Sequence, residues 1–237
     1  MSMAIAAEIQ NISKDFSVGD DDVRVLHSIS AEIRMGELTM LVGPSGCGKT
    51  TLISIISGIL SVTTGDVVLM GQPLSTLKDH EKVLFRREKI GFIFQQYNLL
   101  PALTAAENAA IPLFASGVPH HQAIQRAYKI LKTIGMEAHM DKLPRQLSGG
   151  QQQRVAITRS LIHNPKLIIC DEPTAALDAK TGHGVIEILR EIANEKDRAV
   201  MIVTHDNRIY HFADRILEMS DGRIIGDHKP ENFSHKE

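Results

Sequence analysis

The sequence has few cysteines, no long apolar run and no signal-peptide pattern. Cys47 and Cys170 are its only cysteines, too few for a disulfide framework and typical of a reducing compartment. The longest apolar stretch, residues 52–62, is interrupted by serine and glycine and falls short of the roughly 18 residues that a membrane span needs. Residues 1–10 lack the charged and apolar regions of a signal peptide. We therefore expect the chain to be soluble on its own, with any membrane role supplied by a partner.

The sequence also lacks an excess of charge of either sign. Lysine and arginine together number 26 against 28 acidic residues, which gives a formal net charge of −2. Binding to nucleic acid usually needs a concentrated basic face, so we expect no nucleic-acid partner. Hydrophobic residues make up 43% of the 237 residues, which is enough for a sizeable core in one large domain or two closely joined ones.

Strand and helix patterns alternate along most of the chain. The segment LTMLV, residues 38–42, is wholly apolar, as expected of a strand buried on both faces, and a helix is predicted over 49–58. Further strands are predicted at 5–12, 23–33, 67–70, 90–94, 167–170 and 200–204, and further helices at 120–134, 150–162 and 180–194. Asp221-Gly222 predicts a tight turn between two short extended segments.

Between residues 101 and 165 the pattern is helical only, and Thr104 with Glu107 predicts a capping box at the start of one helix. We therefore predict an α/β core that is interrupted by an all-helical insert. The predicted divisions are the core at 1–96 and 161–228, the helical subdomain at 97–160, and a mobile tail at 229–237.

Residues 43–50, GPSGCGKT, match the phosphate-binding pattern G-x-x-x-x-G-K-[ST]. Glycines let successive backbone N–H groups turn towards a phosphate, and the following helix adds its positive end. A chance match in a chain of this length is on the order of one in a hundred, and this one lies between a predicted strand and a predicted helix. The predicted phosphate-binding residues are Gly43, Pro44, Ser45, Gly46, Cys47, Gly48, Lys49, Thr50 and Thr51.

Within this loop, two side chains have predicted chemical roles and one is unusual. Lys49 can reach the outer phosphates, and the Thr50 hydroxyl can bind Mg²⁺. Cys47 lies at the start of a helix and two residues from Lys49, and both features lower the pKa of a thiol below its free value of about 8.5. We therefore predict that a maleimide modifies Cys47 before Cys170 and that Mg-ATP protects it.

Acidic residues and a histidine follow two other predicted strands. Asp171 ends the apolar run LIICD and is placed to hold Mg²⁺, while Glu172 is placed to activate a water as general base. His205 follows the strand at 200–204 and is a candidate contact for the γ-phosphate. Each of these residues alone could be a solvated loop side chain, but next to a phosphate-binding loop the functional interpretation is favoured.

The segment LSGGQ, residues 147–151, followed by QQRVAITRSL and NPKLIICDEPTAALD, closely resembles the ATP-binding cassette (ABC) family. The motifs occur in the family's order: phosphate loop, Gln95 after a strand, LSGGQ, the acidic pair, ALD at 176–178, and His205. A serine–glycine turn capping a helix would explain LSGGQ alone, but not this order. The resemblance covers residues 5 to about 226.

The resemblance implies further roles. Phe16 matches the aromatic residue that stacks on adenine, where tyrosine is more usual, and Gln95 matches a glutamine that touches Mg²⁺ and senses the membrane partner. Asp178 matches the residue that crosses between the two ATP sites of a dimer. The signature residues implied to contact ATP on a second copy are Ser148, Gly149, Gly150 and Gln151. Each of two Mg-ATP sites would then be complete only in a head-to-tail dimer.

The resemblance implies the ABC ATPase fold, a P-loop NTPase core with an antiparallel β subdomain and an all-helical insert. Within the family, the segments at 85–113, 171–178, 203–209 and 213–224 are most similar to the DevA, LolD and MacB group, with DevA nearest. That similarity implies an ATPase at the cytoplasmic face of the inner membrane, paired with a permease and possibly a periplasmic adaptor in export. A cytosolic ATPase serving iron–sulphur assembly is the alternative. A GTPase is disfavoured, because the nearest string to its N-K-x-D motif is NEKD at 194–197, and neither heptads nor a second cassette suggest DNA repair or translation.

Overall fold

The computed structural model describes residues 4–19 and 21–233, which form two sheets and six α-helices. One sheet has the order β2-β1-β4-β5 and is antiparallel; the other has the order β10-β9-β3-β8-β7-β6. The strands are β1 Ile5–Val18, β2 Asp21–Arg34, β3 Leu38–Val42, β4 Thr64–Leu69, β5 Gln72–Pro73, β6 Ile90–Ile93, β7 Leu167–Asp171, β8 Ala199–Val203, β9 Arg215–Ser220 and β10 Arg223–His228. The helices are α1 Lys49–Ile56, α2 Asp79–Lys89, α3 Ala105–Ala115, α4 His120–Thr133, α5 Gly149–Leu161 and α6 Ala179–Ala193.

The six-stranded sheet is the centre of the molecule. β3 and β8 are buried at every residue, and parallel pairing connects β9, β3, β8, β7 and β6 in that order. Strands covered on both faces need continuous apolar runs, which is why LTMLV and AVMIV could be recognised as strands. Apolar side chains of the antiparallel sheet and α1 cover one face, and those of α5 and α6 cover the other.

The helices α3, α4 and α5 have an apolar core of their own. Small side chains such as Ala106, Ala109 and Ala127 are buried there, so the helices can approach closely. The predicted capping box opens α3: the Glu107 amide donates to Thr104 Oγ1 at 3.2 Å, and the Thr104 amide donates to the Glu107 carboxylate at 2.8 Å. No helix within the described residues is both long and apolar enough to cross a membrane.

Two features go beyond the sequence-based expectation. The helix α2, which buries none of its residues, has no apolar stripe from which its pattern could be predicted. In the tail predicted to be mobile over 229–237, Pro230–Asn232 forms a 3-10 helix and the Phe233 ring packs against Tyr210 and His228, with ring centroids 5.5 and 5.2 Å apart. The mobility of the tail stays a prediction, and residues 234–237 lie outside the described residues.

Candidate nucleotide-binding site

The carboxyl ends of β3, β6, β7 and β8 meet at one edge of the central sheet, because these strands run parallel. The phosphate loop follows β3, Gln95 follows β6, Asp171 ends β7, and His205 follows β8. Motifs that are as much as 160 residues apart in sequence are therefore brought to a single cleft.

That cleft is a cavity of about 910 Å³. A volume of this order accommodates a nucleotide-sized ligand, since small-molecule sites span roughly 300–1,000 Å³. The sequence-predicted residues that line it are Gly43, Pro44, Ser45, Gly46, Gly48, Lys49, Thr50, Thr51, Gln95, Asp171, Glu172 and His205.

The phosphate loop curls around the Lys49 amine. Lys49 Nζ donates to the carbonyl oxygens of Gly43 and Pro44, each at 2.8 Å, and the side chain is almost fully buried. A side chain at Gly43 is impossible because a Cβ there would lie 2.0 Å from the Met219 carbonyl oxygen. Gly48, the N-cap of α1, has φ 102°, a conformation that favours glycine. The sequence therefore places a cation and a helix N-terminus at the same wall of the cavity.

The two acidic residues at the end of β7, Asp171 and Glu172, lie in different environments. Burial, and secondarily the charge of Glu172, raise the pKa of Asp171, while the nearby Lys49 acts in the opposite direction. Glu172 has φ 49°, a strained left-handed conformation for a residue with a side chain. This turn aims its carboxylate at His205, whose Nδ1 lies 2.7 Å from Glu172 Oε1. The two carboxylates are therefore available for different tasks.

The residues of the cavity fit a magnesium nucleotide. The hydroxyl of Thr50, the amide of Gln95 and the carboxylate of Asp171 offer the oxygen ligands that Mg²⁺ prefers. Burial raises the pKa of Asp171, because the protein alone does not fully stabilise its ionised carboxylate. A bound cation would stabilise that ionised form.

The signature segment lies outside this cavity and shapes the start of α5. The Gln151 amide donates to Ser148 Oγ at 3.3 Å, and the Ser148 amide donates to Gln151 Oε1 at 3.0 Å, which is a capping box. A Cβ at Gly150 would lie 2.1 Å from Thr181 Cγ2 on α6. Asp178 caps α6 by accepting from the Thr181 amide at 3.0 Å. None of these residues lines the cavity of its own chain.

Two sequence-based expectations do not match the geometry. Phe16 lies on β1 with 36% of its surface exposed, next to the Lys14 amine, and is not among the residues that line the cavity. Cys47 does not project into the cavity: it is 6% exposed, and its sulfur packs in the apolar core behind the loop. The predicted maleimide reactivity of Cys47 needs an accessible thiol, so this burial counts against it. Cys170 is fully buried, and burial raises the pKa of its thiol.

Several residues that line the cavity were not identified from the sequence. They are Val25, Val203, Glu218, Met219, Ser220 and Ile225. Val25 comes from β2, and Ile225 is a 59% exposed apolar residue on β10. The Asp221-Gly222 turn was the only local signal near them; their position depends on β10 folding back along β9, which no short motif encodes.

Fold and site together define a P-loop nucleotide-binding protein with a helical insert. The sequence matches the ABC transporter family over residues 26–175. It is 44% identical over 220 residues to the macrolide export ATP-binding/permease protein MacB of Burkholderia thailandensis, an alignment that covers 93% of this chain and 34% of that protein. It is 40% identical over 218 residues to the uncharacterized ABC transporter ATP-binding protein MJ1508 of Methanocaldococcus jannaschii, covering 92% of this chain and 97% of that one. The chain belongs to the ABC transporter family.

A solved relative agrees in three dimensions. The ATP-binding cassette MJ0796, in a dimeric post-hydrolysis state bound to ADP and Pi, superposes with a TM-score of 0.87 at 38% identity, covering 96% of this chain and 100% of that one. The predicted cassette fold and ATPase class are confirmed, and the relatives agree with the MacB/LolD-like group. The chain spans about a third of the length of the MacB relatives that it matches. DevA as the nearest member stays a prediction.

Proposed function

We propose that this chain hydrolyses Mg-ATP in a head-to-tail homodimer and thereby drives a membrane permease. The observation that carries the proposal is the separation of two motifs within one chain: the phosphate loop lines the cavity, whereas the signature segment 147–151 does not. A second copy, arranged head to tail, would bring its Ser148, Gly149 and Gly150 to the open side of the cavity. The dimeric state of the relative MJ0796 supports this arrangement.

In the proposed reaction each residue has a defined task. The amides of residues 43–51 and the Lys49 amine bind the phosphates, and Thr50, Gln95 and Asp171 hold Mg²⁺. A Mg²⁺ held by these three residues would neutralise negative charge on the phosphoryl group. A Glu172 carboxylate oxygen accepts the proton of the attacking water. His205, with Nδ1 2.7 Å from Glu172 Oε1, orients that carboxylate and leaves its Nε2 free to contact the γ-phosphate.

Replacing Glu172 by glutamine tests this assignment. Glu172→Gln keeps the shape of the side chain but cannot accept the proton, so we expect hydrolysis to fall by about 10²- to 10⁴-fold while calorimetry still detects ATP binding. Lys49→Ala is the complementary variant: it removes the buried amine, and we expect it to lose most affinity for the γ-phosphate. Wild-type phosphate release from Glu172→Gln, or unchanged ATP binding by Lys49→Ala, would contradict the proposed roles.

The permease partner is proposed to bind where the helical insert meets α2. Val83 and Leu84 of α2 are each 50% exposed, and so is Leu100 in the loop before α3. Leu84 lines a groove together with Leu113, Arg87, Arg126 and Glu88, which gives the groove apolar and charged walls. The MacB relatives are named ATP-binding/permease proteins, which supports an inner-membrane permease as the occupant and export as the process. A periplasmic adaptor, and a position at the cytoplasmic face of the membrane, belong to the same proposal.

A negative charge introduced into that groove should abolish membrane attachment without changing the basal rate of ATP hydrolysis. We expect Leu84→Glu to keep the basal ATPase rate, because α2 does not line the nucleotide cavity, and to lose sedimentation with membranes from cells that produce the neighbouring gene products. Glu81→Gln, on the same exposed helix, is the control. A wholly soluble wild-type protein, or one that co-purifies with soluble scaffold proteins, would refute the transport proposal and favour the assembly alternative.

A further inference from the structure

The loop between β6 and α3 is attached to α5 by one arginine. Arg159 Nη1 donates to the Asn98 carbonyl at 2.7 Å, and Nη2 donates to the Tyr97 carbonyl at 2.8 Å. Gln95, two residues before Tyr97, lines the nucleotide cavity. A single guanidinium therefore holds the backbone of this loop just after the residue that enters the site.

The same loop also contacts the opposite end of α5. A Cβ at Gly149 would lie 2.9 Å from the Tyr97 hydroxyl oxygen, so the Tyr97 side chain lies directly against the signature segment. Gly149 and Arg159 are ten residues apart on α5, about 15 Å along the helix axis. The loop thus spans much of the length of α5 and is in contact with both of its ends.

Arg159 is mounted on a rigid part of the molecule. A Cβ at Gly91 of β6 would lie 2.4 Å from the Ser160 carbonyl oxygen, so the end of α5 is close-packed on the central sheet. Neighbouring residues Ile157 and Leu161 belong to the core of the sheet, while Val155 belongs to the core of the insert. α5 therefore packs in both cores, and its Arg159 end is fixed against the central sheet.

Arg159 holds the loop at a backbone bend. Asn98 has φ 49°, a left-handed conformation that asparagine adopts more readily than most residues with a side chain. Arg159 donates to the carbonyl oxygens of Tyr97 and of Asn98 itself, so its two hydrogen bonds hold the peptide groups on both sides of the Asn98 Cα. The guanidinium is largely buried, and this burial lowers its pKa.

We infer that Arg159 is a positioning residue for the reaction: by holding the carbonyls of Tyr97 and Asn98 it fixes Gln95 in the nucleotide cavity and ties Gln95 to the signature segment on the same helix. This inference rests on the proposed role of Gln95. It predicts a specific kinetic effect. Loss of Arg159 lowers kcat and leaves the affinity for nucleotide nearly unchanged, since the phosphate loop and Lys49 are held by separate contacts.

A double-mutant cycle tests whether Arg159 acts through Gln95. The variants are Arg159→Met, which keeps length but removes the donors, Gln95→Ala, and the two combined. Misplacement of a group by about 1 Å can lower a rate by about 10²-fold, and we expect Arg159→Met to lower kcat by a factor of this order. In the Gln95→Ala background the same change should lower kcat no further. The control is Arg86→Met, since Arg86 likewise donates to a backbone carbonyl, that of Gly58 at 2.6 Å, but outside this loop.

A measurement without nucleotide provides an independent readout. Hydrogen–deuterium exchange of the apo protein should show faster exchange at residues 95–99 in Arg159→Met, with unchanged exchange in β7, β8 and α6. If Arg159→Met does not fold, Arg159→Lys, which keeps the charge but not the planar fork of donors, enters the same cycle and exchange experiment.

The possible outcomes distinguish the inference from the proposed function. Wild-type turnover by Gln95→Ala would contradict the proposed role of Gln95 and would therefore also overturn the inference. An impaired Gln95→Ala beside a wild-type Arg159→Met would overturn the inference alone. Losses that multiply in the double variant, or an unchanged rate of exchange in the loop, would show that Arg159 acts elsewhere and would also overturn it.

Discussion

Two charged side chains, Lys49 and Asp171, line the nucleotide cavity, where their burial disfavours the charged forms unless a ligand is bound. Lys49 is buried, with the carbonyl oxygens of Gly43 and Pro44 and the Cys47 sulfur as partners of its amine, and burial raises the pKa of Asp171. A carboxyl group whose pKa is higher in the folded than in the unfolded state stabilises the fold least when it is ionised. The nucleotide-free protein is therefore less stable than its core alone would allow.

Asp171→Asn makes this cost measurable. Since the folded-state pKa of Asp171 is raised, its contribution to stability is complete below the unfolded value of about 3.9 and is lost as the pH rises through the folded value. We expect the apo variant to melt a few degrees above the wild type at pH 7, because about 1 kcal/mol corresponds to roughly 2–4 °C at this size, and the difference to vanish near pH 4. Differential scanning fluorimetry in EDTA measures both. A less stable apo variant at pH 7 would refute the account.

The site residues could be predicted from the sequence where they belong to a short motif of neighbouring residues. The phosphate loop, the acidic pair and His205 each follow a recognisable strand, so their approach to one cavity follows from parallel pairing. The burial of Cys47 was not predictable, because its thiol, 3.9 Å from the Lys49 amine, packs into a core that residues of distant strands complete. Phe16 likewise depends on the path of a long strand of the antiparallel sheet.

Helix packing explains the second signature glycine. Gly150 sits where α5 meets α6, and a Cβ there would lie 2.1 Å from Thr181 Cγ2. Alanine is the better helix former by about 1 kcal/mol, but overpacking of this kind typically costs about 1–3 kcal/mol. We expect Gly150→Ala to lower the free energy of unfolding in urea, by an amount within that range.

Thr181→Ser provides the matched rescue. Serine removes the Cγ2 methyl and keeps the hydroxyl that donates to Asp178 at 2.6 Å. Combined with Gly150→Ala, it should restore stability to the wild-type level or above it, since the clash disappears and the better helix former remains. Additive losses in the double variant would show that the close approach of α5 and α6 does not govern this position.

Elements were predictable in proportion to their burial. β3, β8 and α5 have continuous or periodic apolar patterns because they face the core. α2 buries no residue, so its sequence DHEKVLFRREK carries no periodic signal, although its apolar Val83 and Leu84 are exposed where the proposed permease would bind. The pairing of β9 with β10 at the edge of the cavity depends on contacts between strands and could not be derived from either strand alone.

Under the proposed function, a single chain holds an incomplete site. The phosphate loop, Gln95, Glu172 and His205 line one cavity, and the signature segment 147–151 does not. The resemblance to the ABC family implied this division, because it assigns the signature to the ATP bound by a second copy. The geometry of the insert relative to the sheet, and the Arg159 contact that connects the two, required the folded structure.

The molar mass of Glu172→Gln in solution tests the central claim most directly. In this variant bound ATP persists, so the two composite sites should hold two copies together. Size-exclusion chromatography with light scattering should give 26.1 kDa without nucleotide and about twice that mass with Mg-ATP. Ser148→Arg in the same background, which should block the partner's site while sparing the cavity, should bind ATP and remain at the lower mass. A Glu172→Gln protein that binds Mg-ATP and stays monomeric would contradict the account.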